Sequence, residues 1–393
     1  MHYKSKKMKV KHLLTIATIL ILSSCQDNEK KPAIQKAAIA PRIEYKVDSF
    51  YNNYAQRVAA LDTTPFNDID KASLVVYSNE QSKKINQVLE NRLNLITKWN
   101  KDNMFRNKVS DSAFIFYPFS GGDFIHVYYL YPNASEYFMS AIENVGQVLD
   151  INKLDKNQFF DYLRDFDTVM RDIYMRSYFI TKNMQEDFGK KTKINGILPI
   201  LLWSAAKTNH DIIHVKYFII DSSANKKYID DIYKTNSKLS VEIKLFNKTT
   251  QKFQTLNYYS ADLSNNGLRK NSKSLNFINK YVSNQSNGFV KSASYLMHYD
   301  TLFGTIQKLV LEKNKFLVQD DTGVPFKKFD PSIWDIELFG KYEKPIKDFS
   351  QSLYQKELDY SYSNPKYYKG NLNFSLGYHW NSKNQNQMVF IKK

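Results

Sequence analysis

The chain of 393 residues contains one cysteine, Cys25. No intramolecular disulfide can form, so whatever fold it adopts must be held by an ordinary apolar core. The composition supplies one, since 42% of the residues are hydrophobic and 15% aromatic, in line with a large globular domain.

Cys25 also closes a leader. Lys4, Lys6, Lys7, Lys9 and Lys11 precede an uncharged, mostly apolar run from Leu13 to Leu22, which reads as the n-region and h-region of a signal peptide. The run is about half the ~20 residues that a membrane-spanning helix needs. Leu22-Ser23-Ser24-Cys25 resembles the lipobox of bacterial lipoproteins. The resemblance implies a signal peptide over 1–24, acylation of Cys25 and a mature chain that works outside the cytoplasm with no thiol left for catalysis or metal binding. Gln26-Asp27-Asn28-Glu29-Lys30 looks like the short acidic signal that takes lipoproteins of some Gram-negative bacteria to the surface. The expected location is therefore the outer membrane, on its periplasmic face or at the cell surface, with the lipid bilayer as a partner through acylated Cys25.

Residues 25–45, with Pro32 and Pro41, read as a flexible tether. Residues 46–393 are expected to form one large globular region, with 222–240 as the place where it would divide. The formal charge of +17 is carried mostly by 48 lysines against 8 arginines, scattered along the chain. Such scatter argues for weak attraction to anionic headgroups or acidic glycans and against nucleic acid, which wants clustered Arg and Lys among stacking aromatics. A coding bias toward Lys, Asn, Ile, Tyr and Phe explains the same composition.

Apolar periodicity predicts helices over 46–61, 78–100, 157–184 and 197–206. β-Branched and aromatic runs predict strands over 212–220, 240–247, 252–259, 315–319 and 333–340. A helical stretch is expected to begin at 289 and run with a bend to 312. A further helix is expected over 345–360, and a closing hairpin from 374–380 and 388–391. The fold class is mixed α+β, with a central, partly antiparallel sheet and helices packed around it.

Three motifs bear on chemistry. In the first, Ala113 to Pro118 is an apolar run that stops at Pro118, Gly121 and Gly122 permit a tight turn, and Ser120 or Asp123 is placed to cap a helix that Pro132 ends. With 136–145 returning as a strand, this makes a β-α-β unit. Ser120, Gly121 and Gly122 become candidates for holding an anionic group at the turn, although the glycine spacing matches neither a dinucleotide site nor a phosphate loop. In the second, His210 and His214 would suit zinc on a helix, but in a strand they stand about 13 Å apart, so no metal is assigned. In the third, Asp320 and Asp321 precede Gly323 and Pro325; adjacent in a strand, they would point to opposite faces and make a poor acid-base pair. No cofactor motif is present.

Tyr117 to Asp123, Ser294 to His298, Gln319 to Pro325 and Leu376 to Trp380 together resemble a family of uncharacterised exported bacterial proteins over roughly 112–392, which implies no reaction. Two function classes follow from the residues. The first is an envelope protein that binds a protein or glycan partner through exposed aromatic and basic residues. The alternative is a hydrolase of an envelope glycan, ester or phosphate, with catalytic candidates Asp123, His126, His298, Asp320 and Asp321. Their convergence in space decides between the two, because acid-base groups need near hydrogen-bond reach of the reacting atoms.

Overall fold

The computed structural model describes residues 43–103, 109, 110, 112–343, 345, 353–380 and 385–393. Cys25, and the tether up to residue 42, lie outside the described residues. Glu44–Lys393 is one compact unit.

Eleven strands among the described residues form one mixed sheet: β1 Phe114–Pro118, β2 Glu136–Ala141, β3 His210–Ile220, β4 Lys226–Ile229, β5 Ser240–Asn247, β6 Lys252–Ser260, β7 Ser286–Val290, β8 Asn314–Gln319, β9 Trp334–Gly340, β10 Tyr368–Gly370 and β11 Asn386–Lys392. Their order is β10-β9-β11-β8-β7-β1-β2-β6-β5-β3-β4. The central five, β8-β7-β1-β2-β6, are parallel. Antiparallel wings extend them, β5-β3-β4 on one side and β11-β9 on the other, with β10 adding a parallel edge. The α+β class is therefore observed, with the parallel part at the centre.

Period-2 alternation feeds two cores, one on each face of the sheet. Ile115 and Tyr117, Tyr137 and Met139, and Phe316 and Val318 pack into one core. Phe116, Phe138 and Leu317, between them in sequence, pack into the other. The helix Phe124–Leu130 joins β1 to β2 on the first face, since Phe124, Ile125 and Val127 belong to its core. The helix Asp300–Lys313 joins β7 to β8 on the second, through Ile306 and Val310. These two crossovers leave in opposite directions along the sheet, so a single handedness puts them on opposite faces. Between adjacent β1 and β7 the strand order thus reverses, and a crevice opens at their carboxyl ends, where open parallel sheets bind ligands.

Most expected elements are present within a few residues. The helix expected over 157–184 runs Lys156–Arg176, held at its start by a reciprocal capping box between Asp155 and Gln158. It breaks at Ser177, whose φ is +66°, and resumes as Thr181–Asp187. The helix expected over 78–100 begins earlier, at Lys71, and is interrupted by a π-helical turn, Leu89–Leu93.

Three expectations are corrected. Phe289 and Val290 end strand β7 rather than open a helix; a 3-10 segment, Ser292–His298, and then Asp300–Lys313 follow. Of the helix expected over 345–360, residues 346–352 lie outside the described residues, and from 353 on the α-helix begins only at Lys356 and runs Lys356–Tyr362. No closing hairpin forms from 374–380, because Gly377–His379 is a 3-10 turn, and β11 pairs with β8 and β9 instead. The apolar and aromatic residues of 374–380 mark packing as readily as strand.

Beyond β2, the chain crosses itself at two glycines. A Cβ on Gly146 would lie 1.7 Å from the Asn195 carbonyl oxygen, and one on Gly196 would lie 2.6 Å from the Gly146 nitrogen. Both residues have positive φ, and Ile197 and Leu198 donate to the carbonyls of Asn144 and Val145. Only glycine permits this close approach, which fixes the segment carrying Glu143 against the helix Leu198–Lys207.

Candidate functional site

The crevice is lined from the carboxyl ends of the parallel strands. Tyr117, Phe119, Ser120, Gly121 and Asp123 come from β1 and its turn, Glu143 follows β2, and Lys291 and Ser292 follow β7. Together with Phe179, Met184, Leu263, Leu296 and Phe303 they enclose a cavity of about 140 Å³ whose walls are largely apolar.

Three non-glycine residues at this crevice have left-handed backbones: Phe119 at φ +59°, Ser177 at +66° and Ser292 at +60°. Each costs strain that surrounding structure must hold, and such residues concentrate at functional sites. Ser177 is tied twice, its carbonyl accepting from Lys291 Nζ and its Oγ from the Gly377 amide at 2.8 Å. Ser292 is tied by its amide, which donates to Thr322 Oγ1 at 2.8 Å.

Asp123 is 1% exposed and collects three donors. Tyr117 Oη donates to Oδ2 at 2.9 Å, Lys291 Nζ lies 2.9 Å from Oδ2, and His126 Nδ1 lies 2.5 Å from Oδ1. Burial acts to raise the Asp123 pKa, but His126 and Lys291 outweigh it and hold the carboxylate below its usual range. Burial brings Lys291 down despite the pull of Asp123. Burial also lowers His126, to about 4 against the same pull, so its imidazole is neutral at neutral pH, with Nδ1 donating to Asp123 and Nε2 left as a lone pair. Arg92, on the π-helical turn, is lowered to about 10 by burial and partly restored by the charge of Asp123; π-turns often mark functional positions.

A second cluster grows from the end of β8. Thr322 donates to Asp320 Oδ1 through both its amide, at 2.9 Å, and its hydroxyl, and Oδ2 has no hydrogen-bond partner among the described residues. Burial and the charge of Asp321 push Asp320 up to about 6. Asp321 turns the other way. Its Oδ1 bonds His379 Nε2 and accepts from Asn386 Nδ2 at 3.0 Å, and although burial opposes it, His379 keeps Asp321 lowered. His379 is raised in return, the charge of Asp321 overcoming burial.

The clusters meet at Gly377, whose φ is +57°. A Cβ there would lie 2.6 Å from Ser292 Oγ and 3.1 Å from Asp320 Oδ2, so these two oxygens flank one small space, with no hydrogen bond between them. Among the described residues both are buried without a hydrogen-bond partner, as are His126 Nε2, His298 Nε2 and His379 Nδ1. Buried polar atoms are nearly always paired, and five of the fifteen unpaired ones among the described residues gather around the ends of three adjacent strands and the turn over them.

The sequence candidates are thus partly assembled. Asp123 and His126 are in contact, and Lys291 responds to the charges of both Asp123 and Asp320. Asp123 alone of the five catalytic candidates lines the cavity. Asp320 stands beside Ser292, Asp321 sits behind it on His379, and His298 faces the carbonyls of Asp321 and Gly323. Asp320 and Asp321 do face different partners, as adjacency in a strand implies. Ser120 and Gly121 line the cavity, whereas Gly122 packs against Ile200 and Ile197 and takes no part in it. The Asp123 carboxylate does not cap the following helix, because it is engaged by Tyr117, His126 and Lys291. His210 is enclosed by Thr208 and Gln254, and His214 faces Glu242; among the described residues no group of three His, Cys, Asp or Glu residues forms a metal site.

Lys291, Ser292 and His379 were missed by sequence reasoning. The flanks of Ser292, Val290 and Ser294, lack the glycines of a nucleophile elbow, and nothing local announces its left-handed backbone. Comparison with family models, with curated proteins and with solved structures finds no match.

The ion pair at the base of the site sets an expected cost. Lys291→Met leaves the Asp123 carboxylate buried without its cation and should destabilise the chain by about 3–5 kcal/mol in urea unfolding. Adding Asp123→Asn should recover part of that loss, whereas a merely steric role for Lys291 gives no recovery.

Proposed function

We propose that the protein is an envelope-anchored hydrolase that cleaves carboxylic esters of apolar acids, with Ser292 as nucleophile and Asp320 as its base. The observation that carries this reading is the Ser292 Oγ, which has no hydrogen-bond partner among the described residues and is held on a strained strand-to-helix turn across the Gly377 space from the equally unpaired Oδ2 of Asp320. Interaction with a partner at an outer surface gives these buried, unpaired groups no task, so the hydrolase reading accounts for more of the structure than a binding role does.

In this mechanism, Ser292 Oγ attacks the ester carbonyl carbon and its proton passes to Asp320 Oδ2. The carbon–oxygen bond to the alcohol breaks, and Asp320 returns the proton to the departing oxygen. Water, activated by the same carboxylate, then attacks the acyl-serine and releases the acid. Lys291 lines the cavity beside Ser292, and its ammonium offsets the negative charge that develops on the carbonyl oxygen. The apolar walls favour an acyl group over a sugar or a phosphate, whose oxygens would find few donors there.

Asp320 serves as base only when ionised, and its pKa is pushed up to about 6. Hydrolysis of a p-nitrophenyl ester should therefore rise as pH increases through about 6 and level above it. Ser292→Ala should lower kcat/KM at least about 100-fold, and Asp320→Asn should both slow the reaction and remove the rise. Hydrolysis that survives Ser292→Ala unchanged rejects the assignment.

The anchor is proposed on the lipobox resemblance at Cys25. In a Gram-negative host, the full chain should take up labelled palmitate and sediment with outer membranes, and Cys25→Ser should abolish both. Persistent labelling of that variant counts against the anchor.

A further inference from the structure

Glu143 stands at the other end of the cavity from Ser292. It follows β2 while Ser292 follows β7, and β1 lies between these strands, so two inter-strand spacings separate the ends by about 10 Å. Glu143 is 6% exposed. Thr181 Oγ1 donates to its Oε1 at 2.9 Å, while Tyr258 reaches its Oε2 only at 3.4 Å. Asp262, after β6, lines the same end. Lys238 is the neighbouring cation, and its Nζ is engaged by the Ile142 carbonyl at 2.6 Å. Two carboxyl groups thus face one ammonium here, and burial holds Glu143 above its ordinary pKa despite Lys238. Between the ends, Phe119, Ala141, Phe179 and Met184 supply an apolar wall, and β1 with its turn adds Tyr117, Ser120 and Asp123. At the opposite end, the buried Ser292 Oγ without a partner marks the cavity independently as a ligand site.

We infer that Glu143 is a specificity-determining residue that binds a protonated amine at the far end of an apolar acyl group, so that the preferred substrate is an ester of an ω-amino acid about 10 Å long. Which end holds the scissile bond rests on the hydrolase reading; the preference of the Glu143 end for a cation does not. An ammonium entering here meets the buried Glu143 carboxyl, with Asp262 and Lys238 exposed around it, and opposite charges attract more strongly at a buried partner than in water. A plain hydrocarbon chain brings no cation to Glu143, whose carboxyl then keeps only its hydrogen bonds from Thr181 and Tyr258.

Calorimetry with hexylammonium and with hexanol separates these claims, since neither probe can be hydrolysed. The wild-type chain should bind hexylammonium at least about tenfold more tightly than hexanol. Glu143→Gln should reduce that preference to under about threefold, and Asp320→Asn, at the other end, should leave it in place. In turnover, p-nitrophenyl esters of an ω-amino acid should be preferred over the plain acid of equal length, and Glu143→Gln should erase the preference. Equal binding of the two probes by the wild-type chain, or a preference that survives Glu143→Gln, overturns the inference. Cation preference lost in Glu143→Gln while no ester is cleaved supports the pocket and rejects the hydrolase reading alone.

Discussion

The structure depends on the buried pairing of Lys291 with Asp123, which joins the carboxyl ends of β7 and β1 where the sheet's winding reverses. Neither charge would be tolerated alone, since an isolated ion in such surroundings costs several kcal/mol. Their union also fixes the neighbours. Tyr117 and His126 complete the hydrogen bonding of Asp123, and Lys291 reaches on to the carbonyl of Ser177. Through Ser177 the pair holds the end of a long helix and the amide of Gly377, so the turn that closes over Ser292 rests on the same ion pair.

From that base, the unequal treatment of neighbouring acids follows. Asp123 and Asp321 each bond a basic partner and remain ionised, while Asp320 bonds the hydroxyl and amide of Thr322, and burial with the like charge of Asp321 outweighs the pull of His379. One carboxylate is therefore left with a free oxygen and a pKa near the working range of a base, which is how environments divide labour among chemically identical groups. Ser292, with a left-handed backbone, presents its hydroxyl to the same small space under Gly377 as that oxygen.

Much of the architecture was legible in the sequence because the signals were local. The apolar run to Pro118, the two glycines and the aromatic stretch after them specify a β-α-β unit, and Asp123 and His126 stand out inside it by chemistry and spacing. The paired aspartates were legible as residues facing different partners. What was not legible depends on long-range contacts. Lys291 looks like any of 48 lysines until β7 is placed beside β1. Ser292 looks like a helix residue until its backbone is seen, and His379 was read into a strand that does not form. The Gly377 turn over Ser292 and Asp320 joins segments separated in sequence, and no periodicity records such a meeting.

The central claim, that Ser292 is an activated nucleophile, is tested most directly by incubating the chain with an alkyl fluorophosphonate and locating the adduct by peptide mass spectrometry. The account predicts one adduct, on Ser292, formed faster above pH 6 than below it and absent from Asp320→Asn. An unlabelled Ser292 under conditions where the ester is hydrolysed, or labelling indifferent to Asp320, would contradict it.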